Sequence, residues 1–86
     1  MALYQVFLAR AAQKELENLD PALIKRIIPR IEKLSVNPRP SGCLKLQGAQ
    51  DLWRIRVGDY RIIYTISDES RIVEIMFIRH RKDVYR

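Results

Sequence analysis

Residues 52–64 read LWRIRVGDYRIIY, and this stretch decides the fold. Two runs of alternating apolar and polar residues flank the pair Gly58-Asp59. A two-residue connection with glycine first is typical of a type II′ hairpin turn, whose twist matches that of the flanking strands. The stretch therefore predicts an antiparallel hairpin, and counting outward from the turn predicts its pairs: Val57 with Tyr60, Arg56 with Arg61, Ile55 with Ile62 and Trp53 with Tyr64.

The two faces of this hairpin carry different chemistry. Apolar and aromatic side chains alternate onto one face, which is expected to be covered by the core; they are Trp53, Ile55, Val57, Tyr60, Ile62 and Tyr64. The other face carries Arg54, Arg56 and Arg61, and we call it the arginine face. Like charges directly opposite each other on paired strands are destabilising. A phosphate held between Arg56 and Arg61 would relieve the repulsion, although one of them could instead bind a carboxylate, and Arg54 could pair with Glu74.

A strand and two helices are predicted before the hairpin. The apolar run Leu3 to Leu8 predicts the strand, and apolar residues from Leu8 to Leu19 recur at helical spacing. Asp20 is placed to cap a second helix that has Pro21 at its first position. The second helix has one apolar stripe, formed by Leu23, Ile24, Ile27, Ile28, Ile31 and Leu34. Because that stripe continues past Pro29, we expect one helix kinked near residues 25–28.

The segments around the hairpin complete a small sheet. Residues 44–47 are either a short strand or an extended lead-in, residues 67–70 form a turn, and residues 71–78 alternate as a last strand. A four-residue loop predicts the pairs Ile66–Arg71, Tyr64–Val73, Ile62–Ile75 and Tyr60–Phe77. This register puts Phe77 on the core face and puts Ile72, Glu74, Met76, Ile78 and His80 on the arginine face. The fold class is α+β, in the order β-α-α-β-β-β, with the helices on one face of a mainly antiparallel sheet.

Composition limits the possible functions. The 86 residues predict one domain over residues 1–86. A net charge of +6 favours a polyanionic partner, nucleic acid before an anionic membrane. The alternative is a basic charge that serves only solubility, and the clustering of the basic residues has to decide between the two. A single cysteine, Cys43, excludes a disulfide within the chain. No apolar run approaches the roughly 20 residues of a membrane span. A cytoplasmic protein with no membrane partner is therefore expected.

The side chains that could perform chemistry are few. His80 is the only histidine and no carboxylates stand at ligand spacing, so neither a metal site nor a cofactor is expected. RNA can be cleaved without metal because its 2′-hydroxyl is the nucleophile, so that the protein only moves protons and stabilises charge. A histidine can act as a general acid or base at neutral pH, so His80 could transfer the proton. Arg56 and Arg61 could hold the phosphate, and Tyr85 could stack on a base or transfer a proton.

The C-terminal segment, residues 79–86, is strongly basic. Arg79, Arg81 and Lys82 are candidate RNA contacts, together with Arg54 and Arg56 on the hairpin. The alternative is a solvated end in which His80 is an ordinary surface residue and Tyr85 an apolar anchor. Because the sequence ends one residue after Tyr85, no further C-terminal helix is expected.

These motifs together resemble the RelE-type toxins of bacterial toxin–antitoxin systems, within the RelE/ParE superfamily. The resemblance runs along the whole chain: the opening strand, the helical pair ending in Leu34 and Asn37-Pro38, Leu46-Gln47-Gly48, residues 53–64 and residues 80–86. It implies a fold like that of small microbial ribonucleases. It also implies a metal-independent endoribonuclease that cuts mRNA in the ribosomal A site, against small-subunit ribosomal RNA, and is held inactive by a RelB-like antitoxin in a higher-order hetero-oligomer.

The resemblance also assigns roles by position. Arg61 matches the phosphate-binding arginine, His80 and Arg81 lie in the catalytic basic segment, and Tyr85 matches the tyrosine near the C-terminus. Some relatives have lysines where this chain has Arg54 and Arg56, and a lysine of lowered pKa could serve there as a base. Arginine remains protonated, so that role would pass to His80.

Two other functions remain open. ParE-type toxins share the fold but inhibit DNA gyrase; the joint presence of Arg61, His80 and Tyr85 favours the nuclease, since a gyrase inhibitor has no use for a titrating group that faces two arginines. A non-catalytic nucleic-acid-binding module would tolerate loss of His80 and would depend on the arginines. An antitoxin is expected to cover the arginine face or to displace the basic tail, using an apolar strip of Ile63, Met76 and Ile78.

Overall fold

The computed structural model describes residues 3–46 and 51–84 of the chain. These residues form five strands and three helices, in the order β1 (Gln5–Leu8), α1 (Arg10–Glu17), α2 (Pro21–Lys33), β2 (Leu44–Lys45), β3 (Leu52–Val57), β4 (Tyr60–Ser67), β5 (Ile72–His80) and α3 (Arg81–Val84). The strands form one mixed sheet in the order β1-β5-β4-β3-β2. Within the described residues, no helix has the length and apolar character needed to cross a membrane.

The central hairpin is as predicted. β3 and β4 are antiparallel, and all four predicted pairs are present, including Arg56 opposite Arg61. Gly58 has a φ of 59°, as the first central position of a type II′ turn requires, and Asp59 is not among the residues with positive φ. A Cβ atom on Gly58 would also lie 3.1 Å from Nη2 of Arg26. The turn therefore needs glycine for its backbone angle, whereas the exposed Arg26 side chain could move away from a Cβ atom.

Helices α1 and α2 cover one face of the sheet, as predicted. Apolar side chains from both helices pack against β3, β4 and β5 in one core, whose buried members are Ala12, Ile27, Ile31, Leu34, Ile55, Val57, Ile62, Tyr64, Val73, Ile75 and Ile78. Trp53 and Tyr60 are partly buried against this core. Their assignment to the core face is therefore confirmed.

The ends of the helices refine the predictions. α2 is one continuous helix through Pro29, and Asp20 is its N-cap residue. The Asp20 side chain makes no capping hydrogen bond, however, so its contribution to the helix start is smaller than expected. Residues 44–45 form a two-residue edge strand, β2, whereas Gln47 and Gly48 lie outside the described residues.

The predicted register between β4 and β5 is wrong. The strands pair Ser67 with Ile72 and Tyr64 with Ile75, so residues 68–71 form the loop and β5 is shifted by two residues from the prediction. A second difference follows at an irregularity between Ile63 and Tyr64, where Met76 is an extra residue on β5. An extra residue reverses the alternation of all side chains beyond it.

This bulge changes which side chains share a face. Ile78 pairs with Ile62 and His80 with Tyr60, so both belong to the core face and not to the arginine face. Phe77 pairs with Ile63, which places it on the arginine face and not in the core. A shift of two residues alone would have left every side chain on its predicted face, so the bulge is the physical cause of these three errors.

One polar cluster joins distant parts of the chain at the end of the sheet away from Gly58. The Arg39 guanidinium donates two hydrogen bonds to Asp68, at 3.2 and 2.9 Å, and the Tyr4 hydroxyl donates a third at 2.7 Å. The Arg39 guanidinium also lies 5.0 Å from the centre of the Trp53 ring. These contacts connect the residue before β1, the loop after α2 and the β4–β5 turn.

Acid is expected to weaken this cluster. Hydrogen bonds from Arg39, and then from Tyr4, lower the pKa of Asp68 from 3.8 to about 2. Because the folded-state pKa lies below the unfolded value, the stabilisation is present above pH 3.8 and is lost as the pH falls through about 2. Wild-type protein should therefore lose more thermal stability than Asp68→Asn between pH 5 and pH 2. The measurement is thermal unfolding at both pH values.

Glu69→Gln provides the matched control for Asp68→Asn. It removes one carboxylate from the same turn but none of the three hydrogen bonds. If Asp68→Asn and Glu69→Gln had the same pH dependence of unfolding, the hydrogen-bonded cluster would not be its source. The difference is expected to be small, since exposed ion pairs contribute little.

Candidate functional site

Three arginines form one row across the three central strands, next to the β3–β4 turn. Arg56 on β3 pairs with Arg61 on β4, and Arg61 pairs in turn with Arg79 on β5. Directly opposed side chains on neighbouring strands have Cβ atoms about 4.5–5.5 Å apart. We call Arg56, Arg61 and Arg79 the arginine row. The first two members were predicted as a pair, whereas the position of Arg79 follows from the bulge.

Arg61 is the buried centre of this row. Only 5% of its surface is exposed, and it is the one charged residue among the described residues that is buried. A guanidinium shielded from water interacts with an anion more strongly than one on an open surface, because the local dielectric is lower. Arg61 is therefore the member of the row best placed to stabilise negative charge.

Arg79 is held on two sides. Its Nε donates a hydrogen bond of 3.0 Å to Oε2 of Glu15, and its guanidinium lies 4.0 Å from the centre of the Phe77 ring. The other Glu15 oxygen, Oε1, accepts a hydrogen bond of 3.1 Å from the Ile78 amide. Sequence reasoning missed Glu15, since it is 64 residues from Arg79 and nothing in the local pattern of α1 marks it.

The remaining hairpin arginines are more open. Arg56 is exposed, and its Nε lies 3.4 Å from the Gly58 carbonyl oxygen, to which it donates a long hydrogen bond. Arg54 pairs with Ile63 on β4, whereas Glu74 pairs with Thr65. The alternative ion pair between Arg54 and Glu74 is not among the ion pairs of residues 3–46 and 51–84, which join Arg39 to Asp68 and Arg79 to Glu15.

His80 ends β5 on the face opposite the arginine row. Its ring contacts the Tyr60 ring edge-on, with the ring centres 5.3 Å apart. Its Nδ1 accepts a hydrogen bond of 3.3 Å from the Lys82 amide, so in the neutral ring the proton is on Nε2. The prediction that His80 faces the arginine pair is therefore wrong, because its side chain points to the opposite face of the sheet. Its backbone is adjacent to that of Arg79.

The basic segment after His80 turns into a short helix that the sequence did not predict. Arg81 and Lys82 are exposed on α3, and the Arg81 amide donates to the Asp59 carbonyl oxygen at 2.8 Å. α3 packs against the ends of β4 and β5, so it brings the basic segment to the hairpin turn. Tyr85 lies outside the described residues.

The site is a surface whose centre is covered, since Arg61 is buried whereas Arg56 is exposed. The described part of the chain encloses no pocket, and no three of its His, Cys, Asp or Glu side chains come together as a group that could hold a metal ion. The apolar strip expected on the arginine face is also different: Ile63 and Ile78 are buried. Phe7 and Leu44 are half exposed there instead, because they pair with Glu74 and Arg54.

Comparison with known proteins identifies the family. The family model described as the ParE toxin of the type II toxin–antitoxin system parDE matches residues 6–85. The chain belongs to the RelE/ParE family of toxins. A RelE-like toxin protein of Escherichia coli is 34% identical over 87 residues, covering 95% of this chain and 90% of the relative. Toxin RelG of Mycobacterium tuberculosis is 30% identical over 84 residues, covering 96% of this chain and 97% of the relative.

Solved structures agree with these relatives. RelE in the archaeal RelE–RelB complex from Pyrococcus horikoshii superposes with a TM-score of 0.81 at 30% identity, covering 92% of this chain and 96% of that one. The RelE-like α+β fold is therefore confirmed, and this family member is a RelE-type toxin of a type II toxin–antitoxin system.

Proposed function

We propose that this toxin is a metal-independent endoribonuclease that cleaves mRNA in the ribosomal A site. The observation that carries the proposal is the arginine row, which places three arginines side by side on neighbouring strands, on one face of the sheet. A phosphodiester gains negative charge as the 2′-hydroxyl attacks it, and preorganised cations stabilise that charge. A site that encloses no pocket within the described residues suits this substrate, because an RNA strand held by the ribosome must be approached from one side.

Each member of the site has a role in this proposal. Arg61, buried at the centre, holds the scissile phosphate, and Arg56 and Arg79 flank it. Arg54, Arg81 and Lys82 contact neighbouring phosphates or ribosomal RNA. Tyr85 or His80 transfers the proton; for His80 this requires its ring to leave the face opposite the arginine row. Because Nδ1 of His80 accepts the Lys82 amide, His80 could act as a base only after that long hydrogen bond breaks.

The partners are part of the same proposal. RelE of Pyrococcus horikoshii is in complex with RelB, and we propose that a RelB-like antitoxin binds this toxin in a higher-order hetero-oligomer. Acidic residues would pair with the arginine row, and apolar residues would cover Phe7 and Leu44. A single domain over residues 1–86 and a cytoplasmic location, where mRNA and ribosomes are found, complete the proposal.

A purified translation system tests the activity. Wild-type protein is expected to arrest translation and to cut the mRNA at A-site codons. Primer extension maps the cuts. His80→Ala should lower the cleavage rate by about 100-fold if the imidazole transfers the proton. Unchanged cleavage in His80→Ala would assign the proton transfer to Tyr85 or another group, and Lys25→Ala on α2 is the control for loss of an exposed side chain.

The ParE model match supports a second candidate, inhibition of DNA gyrase. Its prediction is distinct: the toxin would block supercoiling by purified gyrase and leave mRNA intact. A third outcome, RNA binding that falls with salt and with loss of Arg56 but no cleavage, would indicate a non-catalytic nucleic-acid-binding module. Running the gyrase, cleavage and binding assays on one preparation separates the three functions.

A further inference from the structure

We infer that Glu15 is a positioning residue of this site, which fixes the Arg79 guanidinium for the substrate phosphate. The inference rests on the proposed cleavage of RNA and adds to it a residue outside the sheet. Glu15 lies on α1 and binds Arg79 through the hydrogen bond of 3.0 Å between Oε2 and Nε.

The hydrogen bond to Glu15 leaves the two Nη groups of Arg79 available for a phosphate. A guanidinium has five N–H groups, and Glu15 takes the one on Nε. The two Nη groups, which form the fork that matches a phosphate, make no hydrogen bond within the described residues. The Phe77 ring, whose centre lies 4.0 Å from the guanidinium, restricts the movement of the Arg79 side chain on a second side. A carboxylate on Nη would have blocked the fork, whereas one on Nε orients it.

The same carboxylate is itself anchored to the sheet. β1 pairs with β5 only along residues 72–75, so the β5 edge beyond Ile75 lies past the end of β1. The Ile78 amide donates there to Oε1 of Glu15. Glu15 therefore binds a backbone amide and the guanidinium of the next residue with its two oxygens, and α1, which packs against β5, carries both contacts.

Preorganisation is what this arrangement provides. A free arginine side chain loses rotamer freedom when it binds, and a chain already fixed does not lose it again. Side-chain exposures of 27% for Glu15 and 39% for Arg79 place the ion pair between the open surface and the core. The pair also offsets one of three like charges in the row, so Arg79 can remain beside Arg61 before any substrate binds.

The Glu15→Gln variant distinguishes an effect on the position of Arg79 from the general effect of removing a negative charge. The variant keeps one carbonyl oxygen for the Ile78 amide, but its NH₂ group cannot accept a hydrogen bond from Arg79. Removing a negative charge should, by simple electrostatics, tighten RNA binding. Positioning predicts a different result: the saturating cleavage rate falls about tenfold, while the half-saturating toxin concentration does not rise. Glu17→Gln, an exposed charge loss on the same helix, should show only the electrostatic effect.

The experiment is a set of single-turnover cleavage measurements on ribosome-bound mRNA, with wild type, Glu15→Gln, Glu17→Gln, Arg79→Ala and the double variant Glu15→Gln/Arg79→Ala. Rates are divided by the folded fraction from denaturant unfolding. If Glu15 acts through Arg79, Glu15→Gln has no further effect once Arg79 is alanine. Equal rates for Glu15→Gln and Glu17→Gln, or an undiminished loss in the Arg79→Ala background, would overturn the inference. A wild-type protein that cuts no RNA would overturn the proposed function itself.

Discussion

Arg61→Ala is expected to lower the rate of mRNA cleavage by roughly 10²–10³-fold, the usual effect of removing one preorganised donor from a developing negative charge. Arg61 is the centre of the arginine row and is only 5% exposed, so its charge acts where water screens it least. Single-turnover cleavage in the purified translation system measures the loss. Arg61→Lys keeps the charge but not the planar fork, and should still lose at least about tenfold.

A buried arginine also affects folding, so the Arg61 variants need a control for stability. Denaturant unfolding gives the folded fraction, and cleavage rates are compared at equal concentrations of folded protein. Arg10→Ala removes the same charge from the exposed start of α1 and should cut like wild type. If Arg61→Ala cleaved RNA at the wild-type rate per folded molecule, the scissile phosphate would have to be held elsewhere.

The hairpin was predictable because a short turn leaves little freedom. With Gly58-Asp59 as the two connecting residues, the register of β3 and β4 follows by counting, and Arg56 opposite Arg61 follows with it. The helical face was also predictable, since the apolar periods of α1 and α2 each give one stripe. These elements depend on interactions that are local in the sequence.

The β4–β5 register was not predictable from the same rules. A loop of several residues permits more than one register, and the sequence Met76-Phe77-Ile78 is apolar at three successive positions. Where the residues on both faces of a strand are apolar, the alternation of apolar and polar residues cannot reveal a bulge. The bulge moved Arg79 into the arginine row and His80 to the opposite face. An error of one residue thus changed the membership of the site.

Side-chain partners that are far apart in the sequence could not be predicted either. Glu15 and Arg79 are brought together only when α1 packs on β5. Asp68 and Arg39 meet because the loop after α2 reaches the β4–β5 turn. The sequence shows that such residues are charged, but the choice among many possible partners is made by the tertiary fold.

Tyr64→Ala is expected to destabilise the protein by about 3–5 kcal/mol, the range for deleting a large aromatic side chain from a core. Tyr64 is completely buried and is one of the largest side chains in the core. Small domains have a total free energy of unfolding of roughly 5–15 kcal/mol, so most molecules of this variant would be close to unfolding. Denaturant unfolding monitored by circular dichroism measures the change.

Tyr64→Phe separates the ring from the hydroxyl. The hydroxyl donates a hydrogen bond of 2.7 Å to the Pro38 carbonyl oxygen, and burial raises its pKa, so it remains protonated and can donate. Losing this buried bond should cost about 1 kcal/mol. Tyr4→Phe, which loses a bond at the exposed Asp68, should cost less. If Tyr64→Ala remained as stable as wild type and lost only RNA cleavage, Tyr64 would be a substrate contact, and its assignment to the core side of the sheet would be wrong.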